Sequence, residues 1–383
     1  MNDRERFQAT MHYQPRDRSP ICDFGYWPET LEVWHDQGLP EEISEEGGRY
    51  FFDFFGTDFP IRRAGSLTGI EVGLMPPFEE RVLEDRGDHQ VVQQEDGVRV
   101  LRRKFMSSIP KSLAHLLTDR ESWQVHYRPR LDPDHPARYP AEGDNALERW
   151  RDPDRDYPLI LPGGSLYGWL RNWMGLENLS IVVYDDPAWF EEMVTTVADC
   201  IVGTLSRVFE TGGRFDACAM WEDMCFNAGP LLSPAHLKRH LVPHYRRIAD
   251  LLHKHDIDVL WVDCDGKIDK LIPLWLEAGV NCMFPVEVGT WGADPIGLRQ
   301  QYGQDLLMMG GFDKRILASS KEEIEAEVHR LTPLVEEGGY IGFCDHLVPP
   351  DVPLGNYLYY LETVREVWGQ GIDLKPMGQL DGS

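Results

Sequence analysis

Seven short apolar runs, each stopped by a residue that does not continue it, constrain this chain more than any other feature. Pro20–Cys22 stops at Asp23, Leu159–Leu161 at Pro162, Ala217–Trp221 at Glu222 and Asp223, and Val259–Val262 at Asp263. Cys282–Val286 stops at Glu287, Leu306–Met309 at Gly310, and Tyr340–Cys344 at Asp345 and His346. Segments of helical period separate most of them. Strands buried on both faces read as continuous apolar runs, and parallel pairing needs a crossover between strands. The alternation therefore predicts an α/β fold with a parallel sheet. Chemistry in such folds gathers where the strands end, so the pattern aims several carboxylates and one histidine at a common mouth.

The regular stretch runs from residue 158. Strands are predicted over 158–161, 216–221, 258–263, 281–286, 305–309 and 339–344. Helices fall over 165–173, 186–211, 234–255, 267–278, 294–302, 321–337 and 355–369. Earlier, Arg4–His12, Pro28–Gln37 and Glu41–Phe55 read as helices, the last closing on Gly56. Val91–Gln94 and Val98–Arg102 alternate around Glu95-Asp-Gly97, which predicts a hairpin. Asp132–Tyr157, rich in Pro, Asp and Arg, reads as a surface excursion, because the β/α rhythm resumes directly after it. Seven strands are placed and one more is left to residues 57–110. An eight-stranded (β/α)8 barrel is the economical closure.

Composition narrows the partners. The chain has 383 residues and is 42% hydrophobic, enough for one large barrel core. Its formal charge of −26 disfavours a nucleic-acid backbone or an anionic membrane. No apolar stretch approaches the ~20 residues of a membrane-spanning helix, and the charged N-terminus lacks the apolar core of a signal peptide. Seven scattered cysteines without a CxxC fit reduced, mostly buried thiols. Together these predict a cytoplasmic enzyme of small molecules.

The sharpest motif is Trp261-Val-Asp-Cys-Asp-Gly266. Asp263 and Asp265, two apart in an extended segment, point the same way while Cys264 points away. Two carboxylates converging in a pocket want a cation between them. Capping a helix that starts near Lys267 would explain one acid, not both. His346, at a predicted strand end before a proline-stiffened loop, is a candidate ligand or acid–base. Its neighbours Asp345 and Asp351 fit a structural role equally well. Ser233-Pro234 is a helix start, and Glu222 and Asp223 lie upstream of it, unused by the cap, so at least one is a site candidate. Gly310-Gly-Phe-Asp-Lys-Arg315 is not a phosphate loop, because neither glycine spacing of that kind is present. Lys314 and Arg315 fit either a substrate carboxylate or a solvated surface. Tyr167, after Gly163-Gly-Ser-Leu, fits either the pocket or the core.

These residues resemble the uroporphyrinogen decarboxylase superfamily, which shares its barrel with zinc-dependent, cobalamin-linked methyltransferases. The resemblance rests on Arg4-Glu-Arg6 through Asp17-Arg-Ser-Pro20, Leu232-Ser-Pro234 with Pro243, Gly310-Gly-Phe-Asp313, and Asp345-His346 through Pro353 and Asn356. It covers nearly the whole chain, most specifically from residue 216 onward. It implies a single (β/α)8 barrel over residues 1–383, with an N-terminal helical extension and residues 89–157 as an inserted hairpin and excursion.

The chain departs from both well-known branches of that superfamily. Heme-pathway decarboxylases hold porphyrinogen carboxylates with an arginine-rich loop after the first strand. Here that stretch is Asp23-Phe-Gly-Tyr-Trp-Pro28, without arginine, although Tyr167 and His346 fall near that branch's tyrosine and histidine. The methyltransferase branch binds zinc through His-x-Cys-Gly, a later cysteine and a glutamate on the middle strand. The matching string here is Asp263-Cys-Asp265-Gly266, with His346 at the later cysteine and Glu222 near the glutamate. The resemblance thus implies an oxygen-rich site of Asp263, Asp265, His346 and Glu222 for zinc, manganese or another divalent metal.

The leading expectation is metal-dependent methyl transfer on a small polar substrate. A separate corrinoid protein would be the methyl carrier, since this chain carries no corrinoid-binding segment. Asp223, Tyr167 and His346 are the catalytic candidates. Asp23, Tyr26, Glu287, Asp313, Lys314 and Asp345 are the candidate substrate contacts. A homodimer is a family-level expectation. The alternatives are a cofactor-free decarboxylase of an aromatic or pyrrolic acid, and a ligand-binding barrel without chemistry.

Overall fold

The structure, a computed structural model, describes residues 1–44, 53–61, 67–104, 110–141 and 145–380. Of the helix expected over 41–55, residues 45–52 lie outside this set, and 53–55 are helical. In chain order, a four-stranded antiparallel sheet comes first: β1 (Arg81–Arg86), β2 (His89–Gln93), β3 (Arg99–Arg103) and β4 (Lys111–Ala114). The hairpin expected around Glu95-Asp-Gly97 is β2–β3, which pairs Gln93 with Arg99. β1 and β4 flank it.

The main sheet follows. Its strands are β5 (Ile160–Gly164) and β6 (Ala217–Trp221), then, after a small hairpin of β7 (Cys225–Phe226) and β8 (Gly229–Pro230), β9 (Leu260–Asp263), β10 (Cys282–Val286), β11 (Leu307–Phe312) and β12 (Tyr340–Cys344). All six are parallel, in the spatial order β12-β11-β10-β9-β6-β5.

Extended chain from 19 to 24 continues the wall beyond β12. Phe24 packs on Phe343 and Phe284, with ring centroids 6.5 and 5.4 Å away. Past it, Trp27 N–H donates to the Val348 carbonyl at 3.2 Å, and Val348 N–H to Gly25 at 3.0 Å. On the other side the Asp58 N–H donates to the Ile21 carbonyl at 2.8 Å. The Asp58 carboxylate takes the Ile21 N–H and a two-pronged Arg18 at 2.5 and 2.7 Å, the pair being fully buried. Residues 19–24 and 57–61 thus complete a (β/α)8 barrel as its first two staves, less regular than the other six.

Side chains alternate between two cores with the period of two that strands impose. Ile160, Ala217, Trp261, Cys282, Phe284, Met309, Ile341 and Phe343 fill the barrel, joined by Cys22, Phe24, Phe59 and Ile61. Leu161, Cys218, Met220, Leu260, Val262, Met283, Met308 and Tyr340 face outward and pack against the helices. The register of β10 shifts between Met283 and Val286. Phe284 faces in and Val286 out, so the next residue, Glu287, returns to the inside.

Several crossovers differ from expectation, and the one between β5 and β6 carries an additional helix, Leu176–Asp185. The helix expected over 234–255 is two, Pro234–His240 and Val242–His253. Pro243 has no N–H to continue the ladder and its ring crowds the preceding turn, so the helix restarts there. The helix expected from 267 begins only at Ile272, with Pro273 in its first turn. Among the described residues, no helix is long and apolar enough to cross a membrane.

Candidate active site

The carboxyl ends of β9, β10 and β12 converge. No helix starts at Lys267, so neither Asp263 nor Asp265 serves as a cap there. The chain instead turns at Gly266, whose φ is +86°. A Cβ at that position would meet the Cys225 carbonyl carbon and oxygen at 2.8 Å, so the turn needs glycine on two counts. Gly266 N–H donates to Glu287 Oε2 at 2.5 Å, and Thr290 Oγ1 donates to the other oxygen at 2.8 Å. His346 Nε2 lies 3.3 Å from Asp265 Oδ2. Its ring rests against Phe24 and Trp27, at centroid distances of 5.2 and 6.0 Å. One potential ligand atom each from Asp265, Glu287 and His346 lie within 4.8 Å of one another, as do atoms from Asp223, Asp263 and Asp265. Asp265 belongs to both trios. Its Oδ1 is buried and has no hydrogen-bond partner among the described residues.

Charge is crowded here. Burial, then the Asp265 charge, push the Asp223 carboxyl up to about 6, against the pull of Arg171 and His346. Burial, then Asp265, likewise raise Glu287. Asp223 sits at φ +42°, an uncommon conformation for a residue with a side chain. Its Oδ1 accepts the Asp265 N–H at 3.2 Å. Arg171 donates to the Asp223 carbonyl oxygen and lies over the Trp221 ring, 5.5 Å from its centroid.

The other candidates lie elsewhere. Glu222 points outward from β6, away from the acids, and is fully buried. Oε1 accepts Leu166 N–H at 2.9 Å and Tyr245 Oη–H at 2.7 Å. Oε2 accepts Ser165 Oγ–H and the Tyr167 and Gly168 N–H groups at 2.9, 2.8 and 3.0 Å. Five donors occupy both oxygens and leave no room for an ion; Glu222 anchors the turn after β5. Tyr167 follows from that turn, and burial pushes its phenol up to about 12.

Asp23 points out of the barrel wall toward the helix Leu354–Val367. Tyr26 donates to its Oδ2, Tyr357 Oη lies 3.4 Å from the same oxygen, and the two phenols are 2.7 Å apart. Asp23 and Tyr26 therefore belong to a buried aromatic layer with Trp34, Phe55 and Tyr357. Asp345 is a tether: its carboxylate accepts the Val288 and Gly289 N–H groups at 2.9 and 2.8 Å and that of Lys314 at 3.1 Å. Asp313 is gripped by Arg315 through Nε and Nη2 at 2.9 and 2.7 Å. Burial alone would raise its carboxyl, but those bonds hold it below the ordinary value.

Several neighbours of the site carried no sequence signal of their own. Arg171 falls one turn into a helix with no motif around it. Phe24 and Trp27 look like ordinary strand and helix-entry residues, and only the pairing of Gly25 and Trp27 with Val348 brings them to His346. Thr290 depends on the β10 register shift.

The sequence profile of the uroporphyrinogen decarboxylase (URO-D) family matches residues 170–367, just over half of the chain. The chain belongs to that family. A uroporphyrinogen decarboxylase from Syntrophotalea carbinolica is 24% identical over 200 residues, covering 51% of this chain and 53% of that protein. The chain thus spans about half the length of this relative. A solved methyltransferase from Methanosarcina mazei shares the fold, with a TM-score of 0.57, 13% identity, and coverage of 96% of this chain and 98% of that one.

Proposed function

We propose that this chain carries out metal-dependent methyl transfer, removing a methyl group from, or delivering one to, a heteroatom of a small polar substrate. The observation that carries the reading is the meeting of Asp265, Glu287 and His346 within 4.8 Å beyond the carboxyl ends of β9, β10 and β12. The donor set fits a divalent ion. One imidazole and two carboxylates are ordinary ligands for zinc or manganese, and the buried Asp265 Oδ1 lacks a partner among the described residues. Asp265, Glu287 and His346 would hold the ion, with Asp263 beside them; Glu222 would not. A bound ion would supply Lewis acidity to the heteroatom that gives or takes the methyl group.

The chain's own residues do the rest. Phe24 and Trp27 fix the imidazole plane from one side. Thr290 and Gly266 fix the Glu287 carboxylate. Asp223, hydrogen-bonded to the Asp265 backbone, is placed to exchange a proton with a substrate heteroatom. Arg171 holds the turn that presents Asp223, and the Glu222 anchor holds the neighbouring turn after β5. The Methanosarcina fold neighbour carries the name methyltransferase, which agrees with the reading. A separate corrinoid protein is the carrier this reading calls for.

Metal titration of chelator-treated protein tests it. One zinc or manganese ion should bind per chain, and Asp265→Ala with His346→Ala should abolish binding without unfolding the barrel. Folded wild-type protein that takes up no stoichiometric ion would remove the proposal. A decarboxylase reading is favoured by one observation, an Asp223 carboxyl near pKa 6 that can protonate a carbanionic or pyrrolic carbon. Release of CO₂ from an aromatic or pyrrolic acid by metal-free protein would decide for it.

A further inference from the structure

Glu287 and His346 reach the site from strands that do not pair. β11 lies between β10 and β12 in the sheet. Neighbouring strands run about 4.8 Å apart, so strands one removed are about 10 Å apart. One ligand atom each of Glu287 and His346 nevertheless lie within 4.8 Å of one another. The two segments are therefore drawn together across β11, beyond the strand ends. Asp265 and Glu287 need no such help. β9 pairs with β10, and past the pairing Cys264 N–H donates to the Phe284 carbonyl at 2.9 Å and Gly266 N–H to Glu287 at 2.5 Å.

Asp345 spans the gap. It is 1% exposed, and its own N–H donates to the Phe312 carbonyl, at the end of β11, at 2.8 Å. Its Oδ2 accepts the N–H groups of Val288 and Gly289, the two residues after Glu287. Its Oδ1 accepts that of Lys314, just past β11. His346 follows it directly in the chain. The bonds close a ring. Gly266, next to Asp265, donates to Glu287; Val288, next to Glu287, donates to Asp345; His346, next to Asp345, returns to Asp265 through Nε2 at 3.3 Å. Asp345 supplies no atom to either trio of potential ligands, so its part in the ring is not that of a ligand.

We propose that Asp345 is a positioning residue: it sets the separation of Glu287 and His346, and with it the affinity for the ion, without touching the ion. This rests on the metal reading above. Outer groups that hold ligands in place typically change metal affinity by about 10–100-fold when they are lost.

Competition titration of zinc against a chromogenic chelator, on full-length protein, tests this with Asp345→Ala, Asp345→Asn and Val288→Pro. Asp345→Ala removes the link and should weaken zinc by about tenfold or more. Asp345→Asn can turn its oxygen to Val288 and Gly289 and gives up only Lys314, so most of the affinity should return. Val288→Pro removes an N–H from the other end of the link, at the first position of a short helix, where proline fits. Zinc should weaken there too, and Asp345→Ala with Val288→Pro should bind no more weakly than Asp345→Ala alone, because both changes break one link. Glu222→Gln is the control, since it costs stability away from the ion and should leave affinity unchanged. A folded Asp345→Ala protein with wild-type affinity, an Asn variant as weak as the Ala variant, or additive losses in the combined variant would each overturn the proposal. If Asp345→Ala does not fold, wild-type affinity in Val288→Pro overturns it. Wild-type protein that takes up no zinc or manganese would instead remove the metal reading itself.

Discussion

Replacing Asp23 by Asn should stabilise this protein, and by an amount that depends on pH. Asp23 is fully buried, its Oδ1 has no hydrogen-bond partner among the described residues, and Oδ2 leans on two phenols. Burial raises its carboxyl from 3.8 to about 6, although the hydrogen bonds from Tyr26 and Tyr357 pull the other way. Those phenols are themselves held well above 10 and remain donors throughout. The folded state therefore binds a proton that the unfolded state has released between the two values, and stability falls as pH rises through that window. Two pH units correspond to about 3 kcal/mol, reached in full near pH 7 and above. At pH 4.5 only about 1 kcal/mol of it has developed. Asn is nearly isosteric with the neutral carboxyl and keeps an oxygen for the phenols. The Asp23→Asn gain should thus be about 1 kcal/mol at pH 4.5 and about 3 kcal/mol at pH 8. Urea unfolding at both pH values, followed by fluorescence and circular dichroism so that coincident transitions check two-state behaviour, measures it. An equal change at the two pH values would refute the burial argument.

The remaining expectations separate scaffold from site. Glu222→Gln gives the amide nitrogen nothing to donate to among five donors, so it should destabilise by about 3 kcal/mol or more while leaving metal binding stoichiometric; Glu287→Gln should do the reverse, weakening the ion at small cost in melting temperature. Metal loss in the Glu222 variant with full stability would show that the two glutamates have been misassigned. Gly266→Ala puts a Cβ against the Cys225 carbonyl at a positive φ, so calorimetry should show destabilisation of about 1–3 kcal/mol; an unchanged melting temperature counts against the turn as described. Arg18→Met strands a buried Asp58 and should lower stability by about 3–5 kcal/mol, with the largest loss of hydrogen-exchange protection in residues 19–24, and protection lost uniformly would argue against a closure role.

The strand ends were legible in the sequence because a strand buried on both faces has to be written as an apolar run, and such a run stops where the barrel opens. That is why Asp263, Asp265 and His346 could be brought to one rim from spacing alone. Glu222 shows where the same logic fails. It sits at a strand end like the others, but a strand alternates its faces, and the residue after Trp221 falls on the outer one. The resemblance to a metal-binding glutamate did not register that parity. Glu287 is the converse case: on regular alternation it would also point out, and the register shift within β10 brings it in. A slip of that kind leaves no mark on hydrophobic periodicity.

β1 and β4 escaped for the opposite reason. Both are exposed along their whole length, so neither needs the apolar alternation by which the β2–β3 hairpin announced itself. Strands without a buried face are specified by the partner across the edge and not by a core.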